Sequence, residues 1–260
     1  PGRTAALVTP DRILARRVAN RLESWGIRVD DSAGRPFRKT VPGAFLDLVI
    51  DAASRDFEPA ALMALLKHPL TRLGLAAGEV RRAARALELI AFRTDYLGCG
   101  LDGVEAAIEN ASRHVASRSR RQRAVLRLRD ADWHAARDLL RRLRDAFEPL
   151  KEVSARPGKQ PLADFVRAHV MTAEPLARLP DDMNSVGSPL WQGEAGEAAA
   201  LFLAGLVDPA LTAPDLSAVD YPDLYRSLVA DETVRAALPA HPRLSVWGPF
   251  EARLQNPDVV

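Results

Sequence analysis

The chain contains one cysteine, Cys99, in 260 residues. A lone thiol excludes an internal disulfide and any all-cysteine metal cluster within the chain. Lysine is scarce too: Lys39, Lys67, Lys151 and Lys159 are the only ones, and the other 32 basic residues are arginine. Aromatic residues make up 6%. No apolar run approaches the ~20 residues that a membrane-spanning helix needs. The start, Pro1-Gly2-Arg3 and an apolar stretch that stops at Thr9-Pro10, does not read as a secretory leader. With the single thiol, this makes a cytoplasmic protein the plain expectation.

Sequence signatures of common chemistry are also missing. No phosphate loop of the form G-x-x-x-x-G-K-[ST] occurs; Arg156-Pro157-Gly158-Lys159-Gln160 lacks the first glycine and the final hydroxyl. The five histidines, His68, His114, His134, His169 and His241, never stand in H-E-x-x-H spacing. There is no G-x-S-x-G elbow. The carboxylate pairs Asp30-Asp31 and Asp181-Asp182 fall in expected loops, where adjacent acids usually serve as caps or solvated turns. No catalytic, cofactor-binding or metal-binding residue is therefore assigned.

What is present is an ordinary soluble composition, 47% hydrophobic and 27% charged with a net charge of +2. Arginine suits phosphate recognition because its planar fork pairs bidentately. Its excess alongside abundant alanine is equally explained by GC-rich coding, so arginine content alone does not establish nucleic-acid binding.

Periodicity divides the chain. Residues 4–8 read as a buried strand. Residues 11–25 read as a helix, with Ile13, Leu14, Val18, Leu22 and Trp25 spaced by three and four. Thr9 or Asp11 is placed to cap it, with Pro10 at an early helical position. Residues 27–29 read as a second strand and 244–247 as a third, ended by Gly248-Pro249. Between them helical patterning runs from Val41 to about Leu238. The expected helices span 42–54, 59–67, 76–94, 102–118, 131–151, 162–177, 194–207, 221–230 and 233–238. Residues 156–160 and 180–189 read as the most flexible loops. The fold class expected is α/β, mostly helical: residues 1–40 and 240–260 form a split α/β domain around a helical insertion, 41–239.

Two basic stretches stand out. Between Arg113 and Arg129 lie Arg118, Arg120, Arg121, Arg123 and Arg127 before the first acid, Asp130. Such a run can follow a phosphate path, or it is a solvated face balanced by acids of neighbouring helices. No aromatic residue interleaves it before Trp133, so base stacking gains no support. The second is Gly34-Arg35-Pro36-Phe37-Arg38-Lys39. Its cations Arg35, Arg38 and Lys39 contact an anion, or they are solvated around a Phe37 that plugs the core.

The carboxy-terminal stretch Gly248-Pro249-Phe250-Glu251-Ala252-Arg253-Leu254-Gln255-Asn256-Pro257-Asp258 resembles a signature of the AddB subunits of bacterial AddAB helicase–nucleases. The resemblance extends to Thr4-Ala5-Ala6-Leu7-Val8-Thr9-Pro10-Asp11-Arg12 and Gly34-Arg35-Pro36-Phe37, in the order of the second motor domain of superfamily 1 helicases. Phe57-Glu58-Pro59, Leu62, Leu65-Leu66 and His68-Pro69-Leu70 look like the family's first insertion helices. Similarity is strong at the two ends and loose in the middle. It implies a partial RecA-like motor sheet (2A-like) built from both ends, a large 2B-like helical insertion, and a chain that breaks off within a domain at Asp258-Val259-Val260.

By the same resemblance Glu251 occupies the glutamate position of the helicase motif written KGLE, with Arg253 and Gln255 following it. Here Gly248-Pro249 replaces the motif's Lys-Gly, which argues against a working nucleotide site. The family acts in double-strand break repair by homologous recombination. Its members carry a degenerate motor that scans for a hotspot sequence and an iron–sulfur nuclease domain; ATP/Mg and the cluster belong outside this region. The implied partners are DNA and an AddA-like helicase–nuclease subunit, with no membrane. The expected role is a DNA-channel scaffold without catalysis of its own. Its rival is a structural helical adaptor that packs on AddA and never touches DNA.

Overall fold

A computed structural model describes residues 2–31, 34–93, 96, 98–115, 125–181, 187–208, 213–234 and 241–260. The chain is mostly helical with a small parallel sheet, and it divides into two compact units: Pro1–Thr40 with Ala230–Val260, and Val41–Val229. No helix among the described residues is long and apolar enough to cross a membrane.

The first unit is organised by β1 (Ala5–Val8), which pairs in parallel with β5 (Leu244–Trp247), Ala5 opposite Leu244 and Val8 opposite Trp247. Helix α1 (Arg12–Glu23) follows β1. Asp11 is its N-cap: one carboxylate oxygen accepts from the Ile13 and Leu14 amides at 2.8 and 3.1 Å, which satisfies two of the first turn's free donors. Pro10 therefore precedes the cap rather than opening the helix. Thr9 braces the same turn, its Oγ1 accepting from the Asp11 amide at 3.0 Å.

The second strand differs from expectation. Ile27 does not enter the sheet, because its amide donates to Leu22 O at 3.0 Å and closes the end of α1 just after Gly26, whose φ is +76°. Pairing starts later, at β2 (Asp30–Asp31), against Ser245 and Val246 of β5. Asp30-Asp31 is thus strand backbone, not loop. The sheet order is β1-β5-β2, and an isolated parallel bridge places Val259 beside Ala5 on the other side of β1.

Asp258 fastens that bridge. Its carboxylate accepts from Thr4 N and Oγ1 at 2.7 and 2.9 Å, and its amide donates to Thr4 Oγ1 at 3.1 Å. These bonds hold its carboxyl below the usual aspartate range. A second small sheet pairs β3 (Arg35–Pro36) with β4 (Thr233–Val234) in antiparallel fashion. The helix expected at 233–238 is overturned at its first two residues. β-branched Thr233-Val234 suits an extended ladder, which the bond from Phe37 N to Glu232 O (2.8 Å) continues; residues 235–240 lie outside the described set.

The second unit comprises α2 (Val41–Ser54), α3 (Pro59–Leu66), α4 (Ala77–Leu87), α5 (Gly100–Val115), α6 (Asp130–Ala155), α7 (Leu162–Ala177), α8 (Gly193–Leu206) and α9 (Tyr221–Leu228). The helix expected at 76–94 changes character at its end, where α4 widens into a π-helical turn, Glu88–Phe92. Residues 156–160 are pinned at their end, because Gln160 exchanges two 2.9 Å backbone bonds with Leu216.

The core of this unit holds a polar cluster around His169. His169 on α7 is fully buried, with Nε2 3.0 Å from the Leu46 carbonyl of α2 and Nδ1 3.1 Å from the Tyr221 hydroxyl of α9. A carbonyl only accepts, so Nε2 carries the proton and Nδ1 receives one from Tyr221. Phe165 stacks on Tyr221 at 5.1 Å and Tyr225 meets the imidazole edge-on at 5.2 Å. Three helices are thereby locked in register by one side chain. Nearby, Arg226 of α9 reaches back to α2 and donates to Asp47 and Asp51 at 2.9 and 3.0 Å.

Candidate nucleic-acid interface

The residues singled out in the sequence separate in the structure. Arg118, Arg120, Arg121 and Arg123 lie outside the described residues. At the edges of that run Arg113, Arg127 and Arg129 are exposed, and Arg113 donates to Asn110 Oδ1 at 2.8 Å. Trp133 is half-buried, with the Arg137 guanidinium 5.8 Å from its ring centroid.

Gly34–Lys39 becomes β3 followed by a 3₁₀ turn over Phe37–Lys39. Phe37 is buried, and Thr40 closes the turn with its hydroxyl donating to Phe37 O at 2.6 Å. Arg35, Arg38 and Lys39 are all exposed. The plug reading of Phe37 therefore holds, and the three cations remain on the surface around it.

Glu251 has a local role. Gly248 is the N-cap of α10 (Pro249–Ala252), and the Glu251 carboxylate at the third helical position accepts from the Gly248 amide at 2.9 Å. Pro249 occupies the first helical position, where a missing N–H costs nothing and its fixed φ suits the turn. The Gly-Pro pair thus forms a strand-to-helix corner. Arg253 lies over the Phe250 ring at 5.2 Å, and Arg253 and Gln255 are both exposed.

A further basic surface was not singled out from the sequence. On α4, Val80, Ala83, Ala84 and Leu87 are buried, while Arg81, Arg82 and Arg85 are exposed. At 100° per residue the three arginines occupy one stripe opposite the apolar face. None of them makes a hydrogen bond or ion pair among the described residues. The contrast with neighbouring helices is sharp. Arg141 of α6 pairs with Asp138 at 2.6 Å and Asp145 at 3.1 Å, and Arg55 pairs with Glu58 at 2.6 Å. Arg81 and Arg85 stand four apart and Arg82 and Arg85 three apart, spacings at which like charges destabilise a helix by about 0.2–0.5 kcal/mol per pair. The nearby Glu79 is committed to capping, its Oε2 accepting from Ala76 N at 2.9 Å. The signal was present in the sequence as basic residues at i, i+1 and i+4, phased against an apolar stripe.

Just before α4, two more guanidiniums converge. Leu73 and Gly74 adopt left-handed φ values of +55° and +74°, and the amides of Arg72, Leu73 and Gly74 satisfy Leu176 O and Arg178 O at the end of α7. A Cβ on Gly74 would stand 3.3 Å from both Arg142 Nη1 and Arg178 Nη2, so those nitrogens lie within about 6.6 Å of each other. Arg142 is compensated by Asp138 at 2.6 Å; among the described residues Arg178 has Asp181 as its one carboxylate partner, at 3.7 Å.

Among the described residues no group of three or more His, Cys, Asp or Glu side chains is arranged to hold a metal ion, and Cys99 is exposed. Set against known proteins, the chain matches no family model, no curated sequence and no solved structure.

Proposed function

We propose that this chain is a non-catalytic, DNA-contacting scaffold of an AddB-like subunit, acting with an AddA-like helicase–nuclease in double-strand break repair by homologous recombination. The observation that carries the reading is the pairing of the two chain ends: β1 and β5 are hydrogen-bonded parallel neighbours although more than two hundred residues separate them. A split parallel sheet followed at its last strand by the Gly248-Pro249-Phe250-Glu251 corner suits a partial RecA-like 2A domain carrying a 2B-like helical insertion. In this reading the motor is degenerate and Glu251 is a capping residue. Nucleotide and iron–sulfur chemistry belong to other parts of the parent assembly, which works in the cytoplasm.

DNA contact is supported by exposed arginines that lack carboxylate partners. The test is a salt series of duplex binding by the chain, alone and with the AddA-like subunit. Affinity that falls steeply with salt, together with co-purification of the two subunits, supports the reading. Failure to bind the duplex at low salt refutes it, whether or not the two subunits co-purify. The adaptor alternative draws on one feature, the exposure of apolar Leu201 (75%) on α8 and Met171 (58%) on α7. It requires association with the AddA-like subunit and no DNA binding.

A further inference from the structure

We propose that the outward face of α4, formed by Arg81, Arg82 and Arg85, is a contact surface for the phosphate backbone of a nucleic acid. This inference rests on the DNA-scaffold reading and names a surface within it. The physical case begins with what the protein does elsewhere. Arg55, Arg141, Arg142, Arg144 and Arg226 each face at least one carboxylate within 3.1 Å, those of Arg141 and Arg142 supplied three or four residues away on the same helix. Two acids stand three residues from these arginines, and both are engaged elsewhere: Glu79, before Arg82, caps the helix start, and Glu88, after Arg85, pairs with Lys67 at 3.3 Å and Arg93 at 2.8 Å. Three guanidiniums therefore present their donor forks to solvent with no acceptor among the described residues, so planar pairing to a phosphate has no competitor there.

The dimensions agree. At 1.5 Å rise per residue, the stretch from Arg81 to Arg85 covers about 6 Å, which matches about two axial steps between phosphates of one strand at about 3.4 Å each. At the head of the same helix the convergent pair Arg142 and Arg178, with Arg178 only loosely matched by Asp181, adds to the positive potential at that end. The surface is made of arginine without aromatic residues, so it reads backbone charge and not base identity.

The experiment uses the full chain and a short fluorescein-labelled DNA duplex, followed by anisotropy. Arg81→Gln, Arg82→Gln and Arg85→Gln combined removes three phosphate contacts. The log–log salt slope should then shrink by about 2.7, so that between 50 and 200 mM salt the wild type loses about 40-fold more affinity than the variant. The corresponding triple lysine variant keeps the charge and should retain the wild-type slope, which separates charge from any effect on folding; the glutamine variant should keep the wild-type helical circular dichroism. A glutamine variant with an undiminished slope overturns this inference and leaves the DNA reading standing on other cations. A wild-type chain that fails to bind the duplex at 50 mM salt overturns both. Poly-L-glutamate held by the same arginines as tightly as DNA of equal charge would assign the surface to an acidic protein and overturn the phosphate assignment.

Discussion

Acid should weaken the second unit through one side chain, His169. Full burial pushes its pKa down from 6.5 to about 4, outweighing the bond to the Leu46 carbonyl and the charge of Asp47. The folded protein therefore holds this imidazole neutral where an unfolded chain would already have protonated it. Between pH 6.5 and 4 the unfolded state binds more protons, so the contribution is complete above pH 6.5 and is lost as pH falls towards 4. At pH 4.5 the loss from this group is about 2–3 kcal/mol relative to pH 7, because each tenfold difference in proton affinity between the folded and unfolded chain is worth about 1.4 kcal/mol.

His169→Gln removes the titration. At neutral pH it should cost about 1–3 kcal/mol, because the Leu46 carbonyl or the Tyr221 hydroxyl loses its buried partner. Urea denaturation followed by far-ultraviolet circular dichroism at pH 7 and 4.5 gives the comparison. Protonation of carboxylates and of His68, also depressed to about 4 by burial, is common to both proteins and cancels in the difference. The wild type should lose about 2–3 kcal/mol more than the variant over this interval. Equal losses would refute the argument and locate the acid sensitivity elsewhere.

Three other outcomes are expected. In α8, Gly196→Ala places a Cβ 2.3 Å from the Trp191 carbonyl carbon and should lower the melting temperature sharply, whereas Gly205→Ala meets nothing within 4 Å and should stabilise by up to about 1 kcal/mol through helix propensity; thermal melts of the two side by side decide it. Arg226→Met strips Asp47 and Asp51 of charged hydrogen bonds and should cost about 1.5–3 kcal/mol in urea, with Arg226→Lys recovering part of the loss. Asp258→Ala should speed hydrogen exchange at the Ala6 amide, which donates to Val259 O at 2.9 Å, because the clasp on Thr4 that holds this bridge is gone; unchanged exchange there would show the bridge to be independent of it.

The legible parts of this fold are those where periodicity and caps agree. Residues 4–8 and 244–247 read as strands because each is a short apolar run ended by a turn signal, and both are strands of one sheet. The helix at 162–177 is recovered to the residue because Pro161 fixes its entry and its apolar positions are evenly phased. Failures occur where a local competitor takes over the backbone. Ile27-Arg28-Val29 has strand composition, yet the exit of α1 through Gly26 claims the Ile27 amide, and the ladder begins three residues later. Thr233-Val234 continues a helical-looking stretch, yet its partner Arg35–Pro36 lies about two hundred residues away, beyond the reach of any local pattern.

The candidate site shows the same division at the level of charge. Counting basic residues along the chain draws attention to density, and so to Arg113–Arg129 and the Gly34–Lys39 loop. Density does not determine availability, because a guanidinium three or four residues from an uncommitted carboxylate is spoken for. Arg141, flanked by Asp138 and Asp145, stands in a stretch as basic as any and is paired on both sides. Arg81, Arg82 and Arg85 are only three residues, but phase puts them on one face, and the two acids within reach of it, Glu79 and Glu88, are engaged elsewhere. A phosphate backbone responds to unpaired donors at helical spacing and not to composition. The feature that points to such a surface is therefore a run of basic residues in phase, read against the apolar stripe that fixes which side of the helix faces out, with the acids at i±3 already engaged, Glu79 by the Ala76 amide and Glu88 by Lys67 and Arg93.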